Sequence, residues 1–319
     1  MLDKACGVDV HKDILVANIT DGITVEEARF ENSLEGIENI KAWLREHGCK
    51  HVVMESTGVY WVPLYLALEE SGFQVVLANA YKVKGTPGRI TDTTSAEWLA
   101  QLLISGFIKP SYVPEGRIRD LRELTRMRVK LVQTRTAFKN RCHRVLRKVN
   151  IRLGSKLSDI FGKAGMEILE GLMSGKTIEE IINQSQNKWL KQKGEELAGV
   201  VGGALSQADM FVLGQCVNMV KYLNQMIEEL EDMIRGLVNE DDLKLIATIP
   251  GVDEKAAAAI LAEIGDPKRF KNGKSLASWA GLAPSVHESA GKNLTGGITK
   301  KGSKWLRRVM VQVAHAAKK

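Results

Sequence analysis

The chain has 319 residues, 26% of them charged and 44% hydrophobic, with a net charge of +7 and a pI near 9.1. That length accommodates two domains and a linking element, and the positive balance favours an acidic partner, most often nucleic acid. No apolar run is long enough for a membrane span and no signal peptide is expected. Cys6, Cys49, Cys142 and Cys216 form no CxxC pair, which points to reduced thiols in a cytoplasmic protein and away from zinc or disulfides.

Residues 5–22 read as a strand, a turn at His11-Lys12-Asp13 and a second strand. Asp9 sits between two valines of the first strand, as a solvent-facing residue or as a metal ligand, because a carboxylate there is costly to bury without a cation. A helix follows over 33–47, capped by Asn32 or Ser33, with Ile37, Ile40 and Leu44 inward. A short apolar strand, 51–55, ends in Glu55, then come a helix over 60–71 and a strand over 73–78. Strands alternating with helices predict an α/β domain with a parallel core. Glu55 is then either a loop or capping residue or stands at the C-terminal end of a core strand, where open α/β sheets bind ligands. Paired with Asp9 it makes a two-carboxylate site for a divalent metal. Residues 82–90 form a basic Gly/Pro loop, and Thr91 or Asp92 caps a helix to about 105. Asp92 reads by itself as a first-turn carboxylate at that helix N-terminus, sharing a face with Ser95.

From 113 to about 149 runs a long helical pattern. Between Gly116 and Arg152 thirteen Lys and Arg face only Asp120 and Glu123, a local charge of +11. Solvated faces normally mix signs, so Arg117, Arg126, Arg135, Lys139, Arg141, Arg144, Arg147 and Lys148 are candidates for contact with nucleic-acid phosphates. A second long helix, about 206–239, carries Val212, Cys216, Met219, Leu223, Met226, Leu230, Met233 and Leu237 at alternating spacings of four and three, a coiled-coil seam. Leu121, Leu124, Arg128, Leu131, Arg135, Phe138, Cys142, Val145 and Val149 form a compatible but poorer seam on the first helix. The two can pair within one chain, between chains, or both.

Residues 245–265 read as helix, Pro-Gly turn and Ala-rich helix. This is a helix-hairpin-helix pattern able to approach a phosphate, or simply a tight turn between packed helices. Beyond it, 285–317 holds two candidate nucleophiles, Ser285 and Ser289, in what reads as a glycine-rich loop with Gly291, Gly296 and Gly297. Lys292, Lys300, Lys301, Lys304, Arg307 and Arg308 are available to neutralise a scissile phosphate.

The ordered segments GVDVHK, VVMESTGVYW, PGRITDTTSAEWLAQLL and GLAPSVHESAGK…GGITKKGSKWLRR resemble the insertion-sequence one-ten family of transposases. The resemblance covers about 1–110 and 240–319. It implies a RuvC-like, RNase H-fold DEDD domain over 1–112, a coiled-coil and helical region over 113–240 that supports dimers or tetramers, and a mainly α serine transposase domain over 241–319. It places the family's acids on Asp9, Glu55 and Asp92, which would hold Mg²⁺, and its fourth acid on Ser95, a neutral and weaker ligand. Glu97, about 140° away from Asp92 on a helix, is a poor substitute. The recombination nucleophile maps to Ser289. Family members continue several tens of residues past the Arg307-Arg308 helix, so the resemblance implies a shortened C-terminal domain here. The implied activity is cleavage and rejoining of a mobile element's DNA through a phosphoserine, guided by a structured RNA, in a bacterial-type, nucleoid-associated protein without membrane contact. The alternatives are a metal-dependent junction nuclease of RuvC type and a nucleic-acid-binding form with impaired catalysis.

Overall fold

The computed structural model describes residues 2–56, 58–79, 83, 95–199, 202–289, 292–300 and 302–318, with the backbone alone over 285–295. The chain divides into two compact units, Met1–Pro114 and Glu115–Lys319.

The first unit is a five-stranded mixed sheet flanked by helices, in the order β1 Ala5–Val10, β2 Ile14–Thr20, β3 Val25–Glu31, α1 Leu34–Glu46, β4 His51–Glu55, α2 Trp61–Glu70, β5 Gln74–Ala78 and α3 Ser95–Ile104. The strand order is β3-β2-β1-β4-β5. β2 is antiparallel to β1 and β3, whereas β4 is parallel to β1 and β5. Cys6, Val8, Leu15, Ala17, Val52 and Met54 point to one face, where Ile37, Ile40 and Leu44 of α1 and Leu64 and Leu68 of α2 cover them. The other face is covered by α3, through Leu99 on Val53 and Ala78. Ser33 caps α1 by accepting the Gly36 amide at 3.2 Å.

β3 is absent from the expected elements. Its sequence, VEEARFE, sets only Ala28 and Phe30 toward the core and has no helical period. It is an edge strand with charged side chains outward, a composition that discourages pairing with other chains and also hides the strand from hydrophobic patterning.

The second unit is mainly helical: α4 Gly116–Lys148, α5 Lys163–Met173, α6 Ile178–Gln184, α7 Lys188–Gln192, α8 Gly194–Ala198, α9 Gln207–Leu237, α10 Glu240–Ala247, α11 Glu254–Ile264, α12 Gly273–Trp279, the hairpin β6 Pro284–Ser289 and β7 Lys292–Ile298, and α13 Lys304–Ala317. α4 and α9 lie antiparallel. Arg117 donates to the Leu237 carbonyl, Arg128 pairs with Glu231, Arg135 with Asn224 and Lys148 with Asp209, so rising numbers on one helix meet falling numbers on the other. Thirty-three residues make α4 about 50 Å long.

The seam of α9 differs from expectation. The buried apolar positions are Leu213, Cys216, Val217, Val220, Leu223, Ile227, Leu230 and Ile234, whereas Val212, Met219 and Met233 are exposed. Both readings share Cys216, Leu223 and Leu230. Alternate positions move by one residue because β-branched Val220, Ile227 and Ile234 sit beside the methionines and fill the interface more rigidly. Leu121 and Leu131 of α4, Leu223 and Ile227 of α9 and Ala258 and Ala262 of α11 share one core.

The expected glycine-rich loop also differs. Gly296 and Gly297 lie within β7, and β6 and β7 pair antiparallel, ending at Ser289 opposite Lys292. Lacking any apolar alternation, the hairpin gives no strand signal in the sequence.

Candidate active-site carboxylates and nucleophile

β1 and β4 pair with Cys6 beside Val52, Gly7 beside Val53 and Val8 beside Met54. The next residue on each strand is Asp9 and Glu55, so the register sets the two carboxylates level on adjacent parallel strands, roughly 4.8 Å apart at the backbone. Both lie at the C-terminal strand ends and, by the two-residue alternation, on the face that carries Gly7 and Val53, the α3 face. Asp9 remains accessible, and its Oδ2 lies 3.4 Å from Nε2 of exposed His11. Two carboxylates at this spacing repel each other, and a hard divalent cation with oxygen ligands suits the pair.

α3 approaches this face closely because Gly7 has no side chain. A Cβ there would lie 1.9 Å from the Ala96 carbonyl oxygen and 2.8 Å from the Ala100 amide nitrogen. The first turn of α3 is thereby pressed on the strand that carries Asp9. Ser95 is its first residue, and Glu97 accepts a 2.9 Å hydrogen bond from Gln101. Asp92 lies outside the described residues, as does Lys301. Among the described residues no group of three acids, histidines or cysteines gathers as a metal cluster.

Ser289 and Lys292 are the last backbone pair of the β6–β7 hairpin, and Ser285 is the second residue of β6. The hairpin base is fixed: Thr299 donates to the Ala283 carbonyl, Lys300 to that of Gly281 and Ser303 to that of Trp279. Lys304 is exposed at the start of α13, Arg307 donates to the Ala280 carbonyl at 3.2 Å, and Arg308 has a buried Nε.

The basic run on α4 separates into two groups. Arg117, Arg126, Arg135, Lys139 and Lys148 are engaged within the unit, with the Leu237 carbonyl, Glu263, Asn224, Asp159 and Asp209 respectively. Arg141, Arg144 and Arg147 are exposed, with no ion-pair partner among the described residues. Spaced by three residues each, they share one side of the helix.

Sequence reasoning overlooks Glu263. This residue, 2% exposed, accepts from Arg126 Nε and Nη2, at 2.7 and 2.9 Å, and from the Ser303 hydroxyl at 2.9 Å. Arg122, also buried, donates to the Ala262 and Glu263 carbonyls. A lone acid in the apolar run AAAAILAEIG is the available signal, since a buried carboxylate needs a cationic partner. Gly251, at the turn before α11, has φ +80°, and a Cβ there would lie 2.5 Å from the Val313 carbonyl oxygen, so this glycine serves close packing on α13.

Comparison with known proteins now supplies a family. Residues 6–151 match the IS110-type DEDD family described as "Transposase", and residues 243–319 match "Transposase IS116/IS110/IS902 family". A putative transposase of Sinorhizobium fredii is 38% identical over 27% of this chain and 22% of its own length. A pilin gene-inverting protein of Moraxella bovis is 21% identical over 89% of this chain and 73% of its own. This chain thus spans about a fifth of the first relative and about three quarters of the second. A Thermus thermophilus RuvC bound to a Holliday junction ("T. thermophilus RuvC in complex with Holliday junction substrate") aligns with 34% of this chain and 100% of that one, at 14% identity and a TM-score of 0.27. The chain carries both transposase domains of one family, and it belongs to the IS110 family of transposases.

Proposed function

We propose that the chain is a DNA recombinase that cuts and rejoins strands of a mobile element through a phosphoserine on Ser289, at sites chosen by base pairing with a structured guide RNA. The observation that carries this reading is the level placement of Asp9 and Glu55 at the ends of neighbouring parallel strands. With Asp92 they would hold Mg²⁺, which when bound stabilises negative charge on a transferring phosphate. Ser95 adds a hydroxyl, without charge, at the head of α3.

The Ser289 hydroxyl attacks phosphorus. An Oγ–P bond forms, the bond to the departing strand breaks, and that strand leaves with a free hydroxyl. A hydroxyl of the incoming strand then attacks the phosphoserine and releases Ser289. Each step exchanges one phosphodiester for another, so resealing needs no external energy source. Lys292, Lys300, Lys301, Lys304, Arg307 and Arg308 would offset charge around the phosphate. Arg141, Arg144 and Arg147 offer an exposed basic stripe for the backbone of the RNA or DNA, leaving sequence choice to base pairing. A dimer or tetramer would bring acids and serine from different copies to one phosphate.

The test is to incubate full-length protein with element-end DNA, guide RNA and Mg²⁺ and to look for a protein–DNA band that survives denaturation. The expected band persists in Ser285→Ala, disappears in Ser289→Ala, and weakens strongly in Asp9→Asn and Glu55→Gln. Cleaved DNA without a band in any variant would overturn the phosphoserine and leave a metal-dependent junction nuclease acting through the same carboxylate pair.

A further inference from the structure

Trp305 is the second residue of α13 and is half-buried, yet its indole belongs to none of the apolar clusters of the unit. Its neighbours are cations. The Arg126 guanidinium lies 5.5 Å from the ring centroid, the Lys130 ammonium 5.8 Å and the Lys304 ammonium 5.5 Å. These distances are within cation–π range. No acceptor for the indole N–H is found among the described residues. Trp279 also has a guanidinium over its ring, that of Arg269 at 4.3 Å, but unlike Trp305 it packs against the core around Ala280 and Leu306.

Arg126 is itself held in place. Glu263 fixes Arg126 through both carboxylate oxygens and also receives the hydroxyl of Ser303, the N-cap of α13. One buried acid therefore sets the start of α13 against α4. It also occupies Arg126, so that guanidinium supports the indole and is not free to bind a ligand. Lys130 and Lys304 are exposed and have no ion-pair partner among the described residues. The site combines a half-exposed indole with two ammonium groups over its ring that have no ion-pair partner among the described residues. A planar group next to a phosphate matches that chemistry: an unpaired nucleotide base stacks while its backbone meets the lysines, as on single-strand binding platforms. In duplex DNA the base faces are already covered by their neighbours.

We infer that Trp305, with Lys130 and Lys304, is a stacking site for an unpaired base of a single-stranded nucleic acid. It lies where α13 leaves the base of the hairpin that ends in Ser289. This inference rests on the nucleic-acid reading above and adds the class of strand recognised. A strand opened for exchange, or the unpaired part of a guide RNA, supplies such a base.

The experiment measures binding of the full chain to fluorescein-labelled 20-nucleotide dT and rU strands and to a 20-base-pair DNA duplex. Trp305→Ala is expected to weaken single-strand binding about tenfold while duplex binding changes less than twofold. Trp305→Phe, which keeps an aromatic face, should recover most of the loss, and that recovery excludes a purely structural effect. Lys130→Gln with Lys304→Gln should lower the salt dependence of single-strand binding by between one and two counterions. Whichever of dT and rU loses more on Trp305→Ala is the occupant. Equal losses for single strand and duplex, or no loss in either, would overturn the inference while leaving the recombinase reading in place. Wild-type protein that binds neither strand nor duplex would overturn both.

Discussion

Gly7 of β1 and Ala96 of α3 meet backbone to backbone, with room for a hydrogen and none for a methyl group: a Cβ at Gly7 would stand 1.9 Å from the Ala96 carbonyl oxygen. Gly7→Ala should therefore lift α3 off the sheet, since neither neighbour is a flexible side chain. A loss of about 3 kcal/mol is expected, the upper part of the usual range for overpacking. Gly273→Ala, where a Cβ meets nothing within 4 Å, is the matched control and should change little. Urea denaturation of the two variants decides it; equal midpoints would mean that α3 does not pack as described.

Glu263 supports a second prediction. Removing its carboxylate by Glu263→Ala leaves the Arg126 guanidinium unpaired and the Ser303 hydroxyl without its acceptor. Because Arg126 is more than a third exposed, the cost falls below that of a fully buried pair, at about 2–3 kcal/mol. Ser303→Ala, which removes a helix cap, should cost only about 1 kcal/mol. If the two variants unfold at the same denaturant concentration, Glu263 is not the centre of that cluster.

The two groups of basic residues on α4 should separate by assay. Replacing Arg141, Arg144 and Arg147 together with Gln is expected to leave thermal stability nearly unchanged, because the three side chains are exposed without ionic partners among the described residues. The same triple change should reduce the slope of log affinity against log salt for duplex DNA by about 2 to 3. Arg126→Gln should behave oppositely, lowering stability because it breaks the pair with Glu263. A triple variant with an unchanged slope would remove the stripe from the nucleic-acid surface.

His143 predicts a pH dependence. Burial lowers its pKa below the usual 6.5 and the positive charge of Arg147 lowers it further, with Asp159 opposing and Lys139 adding the least. Its ring stands edge-on to Phe161. The unfolded chain takes up the proton first as pH falls, so the stability that neutral His143 contributes is complete above pH 6.5 and declines below it. Melting temperature followed from pH 8 to pH 5 should fall more steeply for wild type than for His143→Gln. Parallel curves would assign the acid sensitivity elsewhere.

Much of the first unit was legible because its strands and helices carry their burial in their periodicity. Val8 and Val10 alternate with Asp9, and Ile37, Ile40 and Leu44 mark one side of α1. β3 was invisible because Glu26, Glu27, Arg29 and Glu31 leave only Ala28 and Phe30 as an apolar alternation, too short to mark a strand. In α9 the 3.5-residue spacing was evident, but two adjacent apolar stripes satisfied it, and packing favoured Val220, Ile227 and Ile234 over the methionines. The Asp9–Glu55 pair could be suspected from two strand ends, but its alignment depends on a register that no local pattern encodes. Glu263 remained hidden because its partners, Arg126 and Ser303, are distant in sequence.

The antiparallel pairing of α4 and α9 makes the long excursion from residue 117 to residue 237 a return journey. Arg117 at the start of one helix holds the Leu237 carbonyl at the end of the other, so the chain comes back to its point of departure. The rod's reach is therefore separable from what is built at its base. Adding or removing one heptad at matching heights in both helices would move the α5–α8 tip by about 10 Å and preserve the seam. The base, where Glu263, Arg126 and Ser303 meet, would keep its geometry. Length along this axis is a dimension in which the molecule can be re-proportioned without redesigning either end.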